Sequence, residues 1–221
     1  MTTVAVVPVK PLRRGKSRLA AVLSVQERTQ LNRYLFKHTL EVLKQVPEIE
    51  RTLVVSRDSA ALALAREFDA HTLQEQSGSQ LNSALQRATI LLRTSAVSTI
   101  LVLPADLPLL SAEDVQALLD ALPGPPGLVL APSANGMGTN GLVVSPPGAV
   151  AFAYGANSFS QHVALARAAG VPVAVVERPG LARDLDWPQD LALVADVFPA
   201  FAQRGQQAAS QSTSPIKRES L

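Results

Sequence analysis

The chain has 221 residues, 47% of them hydrophobic and 17% charged, with 16 Pro, 12 Gly and no Cys; one domain with a sizeable core is expected, and disulfide scaffolds, cysteine zinc sites and a thiol nucleophile are excluded. A net charge of only +2 and 4% aromatics argue against a nucleic-acid surface. No basic n-region or cleavage site opens the chain and no apolar run nears the ~18 residues of a membrane span, so a cytoplasmic protein without a signal peptide is expected.

Residues 3–8 (TVAVVP) read as a buried strand that exits into a basic loop bracketed by Pro8 and Pro11. Ser24 and Glu27 form a capping-box pattern ahead of a long helix, with Leu31, Leu35, Val42, Leu43 and Val46 at helical spacing. A strand at 52–56, a helix at 60–68, a weak strand at 71–73, a polar loop at 74–80 and a helix over 82–93 follow. Residues 99–103 (TILVL) make the most continuous apolar strand, which stops abruptly in Pro104-Ala105-Asp106-Leu107-Pro108. Ser111 with Asp114 caps a helix reaching 122, residues 123–127 form a Pro-Gly turn, and strands at 128–131 and 141–144 flank a Gly-rich loop. A helix over 159–169, a strand at 171–176 and a helix opened by Pro188 and reaching 197 complete the expected domain, residues 1–202. The polar, aperiodic residues 203–221 read as a disordered tail.

Alternating strands and helices predict an α/β fold whose mixed, mainly parallel sheet carries helices on both faces; it is mixed because the neighbouring strands at 128–131 and 141–144 break the alternation. Ligands in such sheets bind beyond the carboxyl ends of strands, so the loops after Val7, Leu103 and Ala131 are the places to look.

The first of these loops carries Lys10, Arg13, Arg14, Lys16 and Arg18 around Gly15. Such a set can neutralise a polyphosphate, and the glycine permits close backbone approach, although Walker A spacing is missing and a solvated basic connection is the competing reading. Asp106, held between two prolines after the most apolar strand, is placed to hold a divalent cation; an Asp turn is the alternative. Asp184 and Asp186 are i and i+2 in an extended segment and can reach one ion, unless Asp186 only caps the helix after Trp187-Pro188. The stretch from Gly136 to Gly141 matches G-x-G-x-x-G, but a strand follows it and no acid comes ~20 residues later, so it is not a dinucleotide fingerprint. A loop whose N–H groups and Thr139 hydroxyl face an anion is expected instead. Ser158 is the expected N-cap of the helix that follows Tyr154-Gly155-Ala156-Asn157, and helix N-termini attract phosphates and carboxylates. His162 reads as a surface or packing residue, and with His38 and His71 it makes no metal or triad pattern.

Together the basic loop, the acid after the central strand and the late Asp-x-Asp look like a metal-dependent nucleotidyltransferase, with Lys10, Gly15, Lys16 and Arg18 on the nucleotide and Asp106, Asp184 and Asp186 on the metal. Asn82, in Gln80-Leu81-Asn82, is taken as a further nucleotide contact. Val6-Val7-Pro8-Val9-Lys10-Pro11-Leu12, Lys16-Ser17-Arg18-Leu19, Ala105-Asp106-Leu107-Pro108, Gly138-Thr139-Asn140, Asn157-Ser158-Phe159 and Asp184-Leu185-Asp186 resemble the guanylyltransferase family of deazaflavin coenzyme F-420 biosynthesis, over residues 3–195. Its members are 2-phospho-L-lactate or phosphoenolpyruvate guanylyltransferases.

The resemblance implies a nucleotide-diphospho-sugar-transferase-like fold, GTP as co-substrate, Mg2+ as cofactor, and transfer of GMP onto the phosphate of a three-carbon phosphoacid with release of pyrophosphate. It also implies acceptor contacts at Thr139, Gly155 and Ser158 and catalytic roles for Asp106, Lys16 and Arg18. Because the chain looks like the bacterial members, phosphoenolpyruvate is the expected acceptor, ahead of 2-phospholactate and 3-phosphoglycerate. Family members commonly carry an acidic-basic pair where this chain has Ser133 and Ala134. The chain lacks an obvious general base, and an acceptor phosphate with a second pKa near 6 needs none. GTP and the phosphoacid are the expected partners, with no nucleic acid and no membrane, and a homodimer is admitted. Another nucleotidyltransferase of the same fold, of molybdenum-cofactor or sugar-phosphate type, and a non-catalytic nucleotide-binding protein are the competing functions.

Overall fold

Strand β1 (Thr3–Pro8) sets the layering by its alternation: Val4 and Val6 face one side of the sheet, Ala5 and Val7 the other, and all four are buried. The computed structural model describes residues 2–75 and 80–212. After a 3-10 turn at Ser17–Ala21, helix α1 (Val25–Lys44) begins in a complete capping box, with Ser24 accepting from the Glu27 N–H and Glu27 accepting from the Ser24 N–H. Strand β2 (Ile49–Ser56), helix α2 (Ser59–Glu67, capped by Asp58), strand β3 (His71–Gln74), helix α3 (Leu81–Arg93) and strand β4 (Thr99–Val102) follow. Helix α4 (Ala112–Asp120) repeats the capping box with Ser111 and Asp114. Strands β5 (Gly127–Pro132) and β6 (Thr139–Ser145), helix α5 (Ser158–Ala168), strand β7 (Val173–Val175), helix α6 (Pro179–Ala182), a 3-10 segment at Pro188–Val194 and helix α7 (Pro199–Ser212) complete the order.

The seven strands lie in the order β3-β2-β1-β4-β6-β5-β7. Strands β1 to β4 run parallel, β6 runs against both β4 and β5, and β7 is parallel to β5, so the expected mixed sheet is present. One face packs on α1, α2 and α4 through Phe36, Leu40, Leu64, Val115 and Leu118, and the other on α3 and α5 through Leu85, Leu92 and Ala166. The β1, β2, β3 and β4 carboxyl ends share one edge of the sheet. At β4 that edge meets the start of β6, because Val102 pairs with Leu142 and Ile100 with Val144.

Three expectations are corrected. The helix opened by Pro188 is a 3-10 segment that ends at Val194, and α7 succeeds it. Residues 203–212, read as the start of a disordered tail, continue α7, because Phe201 and Ala202 are buried and Arg204 forms a two-pronged ion pair with Glu27 at 2.6 and 3.3 Å. That fork, with the Ser24 capping contact, pulls the Glu27 carboxyl down to about 2. The rest of the tail, 213–221, and residues 76–79 of the expected polar loop lie outside the described residues. Ser158 is the first helical residue of α5 and not its cap; that place belongs to Asn157 in the left-handed region (φ 54°).

Helix α7 closes a third cluster, in which Phe201 joins Leu19, Leu31, Leu35, Leu185 and Leu191. Its approach depends on Gly205, where a Cβ would overlap the carbonyl oxygen of Pro188 and press on Leu191. Gly205→Ala should therefore cost about 1–3 kcal/mol through overpacking, seen as a fall of ~3–10 °C in thermal midpoint. An unchanged midpoint would mean that α7 does not dock through this contact.

Candidate active site

The chain leaves β1 along a rigid path. Val9 donates to the Val55 carbonyl (2.9 Å), Ser56 Oγ donates to the Val9 carbonyl (2.7 Å), and the Leu12 N–H donates to Asp58 (2.8 Å). Asn32 Nδ2 donates to the Leu12 carbonyl at 2.7 Å, and a Cβ on Gly15 would sit 2.7 Å from that same nitrogen. Gly15 is thus required by the approach of α1, a packing reason beside the expected ligand approach. Lys16 then takes the left-handed conformation at φ 58°, a state that costs a non-glycine residue of order 1–3 kcal/mol unless its surroundings impose it. Here they do: its side chain is 5% exposed and Nζ lies 2.8 Å from Asp106 Oδ2 and 3.1 Å from Asp186 Oδ1. Burial works against the Lys16 charge, but the two carboxylates outweigh it and raise the pKa, so an ammonium stands between them.

The acids come together through backbone. Leu185 N–H donates to the Asp106 carbonyl at 3.0 Å while the Leu185 side chain is fully buried beneath. With Leu185 turned into the core, Asp184 and Asp186 project to the opposite side, and each of Asp106, Asp184 and Asp186 offers an oxygen, all within 4.8 Å of one another. Burial, then the negative charges of Asp106 and Asp186, raise the Asp184 carboxyl above its ordinary pKa. Arg18 donates to Asp186 Oδ2 at 2.8 Å with its guanidinium 4.7 Å over the Trp187 ring. Asp190 accepts from the Asp186 and Trp187 N–H groups, fixing the far side of the segment. Upstream, Arg178 pairs with buried Asp114 (2.8 Å), Asn140 Nδ2 donates to the Leu181 and Ala182 carbonyls, and the Ala134 N–H donates to Ala182.

A cavity of about 330 Å³ opens beside the acids, with Lys10, Gly15, Lys16, Asp106 and Asp186 on its wall. Arg57 and Glu75 line it too. The sequence reading missed both, although each stands directly after a strand end, the very signal applied to the loops after Val7 and Leu103. Arg13 and Arg14 are exposed and are not part of that wall.

Four expected contacts lie elsewhere. Asn82 clamps the Tyr154 backbone from both sides, Nδ2 to the carbonyl (3.0 Å) and Oδ1 from the N–H (2.8 Å). Thr139 and Ser158 are buried, with their hydroxyls 3.3 Å apart, and Thr139 Oγ1 is 3.0 Å from His162 Nδ1. Ala153 N–H donates to His162 Nε2 at 2.9 Å, which fixes the proton of the neutral ring on Nδ1 and aims it at Thr139. His162, with no exposed surface, joins β6 to α5. Gly155 holds φ 143°, a glycine conformation, with open space beside its Cα. The expected anion-facing loop is corrected as well: Gly136 and Gly138 N–H groups donate to Ser133, and Met137 N–H donates to Asn135. In this way Ser133 closes the loop on itself and Ala134 ties it to α6.

Residues 3–195 match the family described as Guanylyl transferase CofC like. A phosphoenolpyruvate guanylyltransferase of Rubrobacter xylanophilus is 43% identical over 192 residues, covering 87% of this chain and 93% of its own length. A 2-phospho-L-lactate guanylyltransferase of Methanothermobacter thermautotrophicus is 32% identical over 191 residues, 86% of this chain and 82% of its own. In fold, the chain is similar to a solved Desulfovibrio desulfuricans G20 protein assigned to the nucleotide-diphospho-sugar transferases, with a TM-score of 0.73 over 95% of this chain and 96% of that one at 16% identity.

Burial lowers the His162 pKa from 6.5 to about 4. The folded state therefore refuses a proton that the unfolded chain accepts, so this contribution is fully present above pH 6.5 and is lost as pH falls toward 4. Unfolding free energy should drop by of order 3 kcal/mol across that window from this residue, and His162→Gln should flatten the slope in denaturant titrations at stepped pH. An unaltered slope would place the titration on other groups.

Proposed function

The chain belongs to the CofC-like guanylyl transferases, and from that premise we propose that it transfers GMP from GTP to the phosphate of phosphoenolpyruvate, releasing pyrophosphate, as a step of coenzyme F-420 biosynthesis. The observation that carries this reading is the gathering of Asp106, Asp184, Asp186, Lys16 and Arg18, of which Lys16, Asp106 and Asp186 stand on the wall of a cavity that also takes in the exit of β1.

The donor set fits magnesium: three carboxylate oxygens with no nitrogen or sulfur among them suit a hard, oxygen-seeking cation. Asp106, Asp184 and Asp186 would hold the ion, which supplies neutralisation of charge around the α-phosphate. The chain's own residues do the rest. Lys16 and Arg18 keep two fixed positive charges beside the acids, where the departing pyrophosphate needs them, and Lys10 stands exposed at the cavity wall for the outer phosphates. An oxygen of the acceptor phosphate attacks the α-phosphorus, the bond to the bridging oxygen of the β-phosphate breaks, and pyrophosphate leaves with that electron pair. The acceptor phosphate is already largely dianionic at neutral pH, so catalysis rests on positioning and on charge.

The acceptor lies on the other side of the acids, toward β6 and α5. With the Thr139 and Ser158 hydroxyls engaged on each other and on His162, and the Phe159 N–H bound to the Met137 carbonyl at 3.1 Å, those residues act there by position and backbone: the Ser158 and Ser160 N–H groups at the start of α5, where no side chain caps the helix, and the open space at Gly155 suit a small anion. Phosphoenolpyruvate is favoured over 2-phospholactate because the relative named for it is 43% identical and the one named for the lactate 32%.

With GTP, Mg2+ and equal amounts of phosphoenolpyruvate, 2-phospholactate and 3-phosphoglycerate, mass spectrometry should find guanylylated phosphoenolpyruvate as the main product. A different main product replaces the acceptor, and no product at all removes the activity. Asp106→Asn and Asp184→Asn should each lower turnover by ~10²-fold or more with a thermal midpoint within ~3 °C of the parent; near-normal turnover in either would sink the metal assignment.

A further inference from the structure

We propose that Glu75, assisted by Arg57, reads the guanine base; this rests on the reading of GTP as substrate. The cavity follows the edge where β3, β2, β1 and β4 end, and its wall takes Glu75 from just after β3, Arg57 from just after β2, Lys10 from just after β1 and Asp106 from just after β4. Adjacent strands are ~4.8 Å apart, so Glu75 and Asp106 are separated by three spacings, ~14 Å. A nucleoside triphosphate whose α-phosphate lies at the acids must extend its base along this edge, because on the other side β6 reverses direction and presents the region assigned to the acceptor. Beside Lys10 and Asn32 the wall also carries apolar surface from Val9, Leu12, Phe36 and Leu81, which suits the flat faces of a purine.

At the base end the polar groups are one carboxylate and one guanidinium. Glu75 is half-buried, its N–H is tied to the Ser56 carbonyl at 2.9 Å, and among the described residues no hydrogen bond or ion pair engages its carboxylate. Burial raises its pKa, against the nearby charges of Arg87 and Arg57, which favour the ionised form. Guanine alone among the common bases shows two adjacent donors on its pairing edge, N1–H and N2–H, and a carboxylate offers two adjacent acceptors to meet them. Adenine and cytosine present an acceptor at the ring nitrogen of that edge, which would face the carboxylate with like polarity. Uracil shows a single donor between two acceptors. Arginine is a recurrent partner for guanine O6 and N7, so Arg57 completes the complement.

Inosine triphosphate, which lacks only the 2-amino group, isolates this contact. In the presence of phosphoenolpyruvate and Mg2+, the parent protein should prefer GTP to ITP in kcat/KM by at least about tenfold, the scale expected when a partly buried acceptor loses its donor. Glu75→Gln and Glu75→Ala should lower kcat/KM for GTP by about tenfold or more, lower that for ITP much less, and so collapse the preference, with kcat at saturating GTP within about twofold. Kd values for GTP and ITP from calorimetry without acceptor should change in the same ratio. If both variants keep the parent GTP-to-ITP ratio, or lose both nucleotides equally, Glu75 does not read the base. If the parent neither binds GTP nor uses it, the substrate reading itself fails, and the base assignment falls with it.

Discussion

Three carboxylates whose oxygens lie within 4.8 Å of one another repel, when all are ionised, by about 3.5 kcal/mol or more for each pair at an effective dielectric near 20. Nothing in a folding chain gathers such groups unless other contacts hold them. Here the Leu185 N–H binds the Asp106 carbonyl while the Leu185 side chain is sunk in a core shared with Leu19, Leu35 and Phe201. The backbone bond sets the distance between the two acidic segments, and burial of the intervening leucine turns both flanking aspartates outward together. Lys16, forced into a left-handed conformation, then places its ammonium between Asp106 and Asp186. The repulsion is met by cations of the chain and by the raised Asp184 pKa.

The remaining architecture serves that junction. The strap from Arg178 to Asp186 is tied at Asp114, at Asn140 and at Ala134 before it reaches the acids, so α4, β6 and the β5–β6 loop each contribute one tether. Strand β6 reverses at the place where β4 ends, which divides the carboxyl edge of the sheet into two sides, the one proposed for the nucleotide and the one proposed for the acceptor. Helix α7 lies far away in sequence yet bears on the same core, since Phe201 and Leu185 share one cluster and Arg204 reaches back to the cap of α1. A site built this way is as rigid as the leucine core beneath it.

Much of this was legible in residues whose roles are local. The two capping boxes, at Ser24 with Glu27 and at Ser111 with Asp114, are four-residue patterns and form as read. The i and i+2 spacing of Asp184 and Asp186 carries its own geometry, and Lys16 lies against Asp106 and Asp186, two of the three acids that the sequence singled out. What the sequence hid depends on partners distant along the chain. A threonine that opens a strand and a serine that opens a helix look alike in sequence whether they face a ligand or a buried imidazole, and only the position of His162 decides. The amide of Asn82 is committed to Tyr154, 72 residues away. Helix α7 looked like a tail because its composition is Gln- and Ser-rich, and the partner of Arg204 is 177 residues distant. Glu75 and Arg57 carry no motif, so their meaning appears only once strand order puts them on one wall.

The proposed chemistry needs a single cation site made by three acids that belong to two distant segments. Titration of Mn2+ into the protein, with free Mn2+ counted by electron paramagnetic resonance, tests this without turnover. One saturable site is predicted, weakened at least about tenfold by Asp106→Asn and equally by Asp184→Asn, as expected when one carboxylate of a shared oxygen set is removed. Binding of undiminished strength in both variants would contradict it.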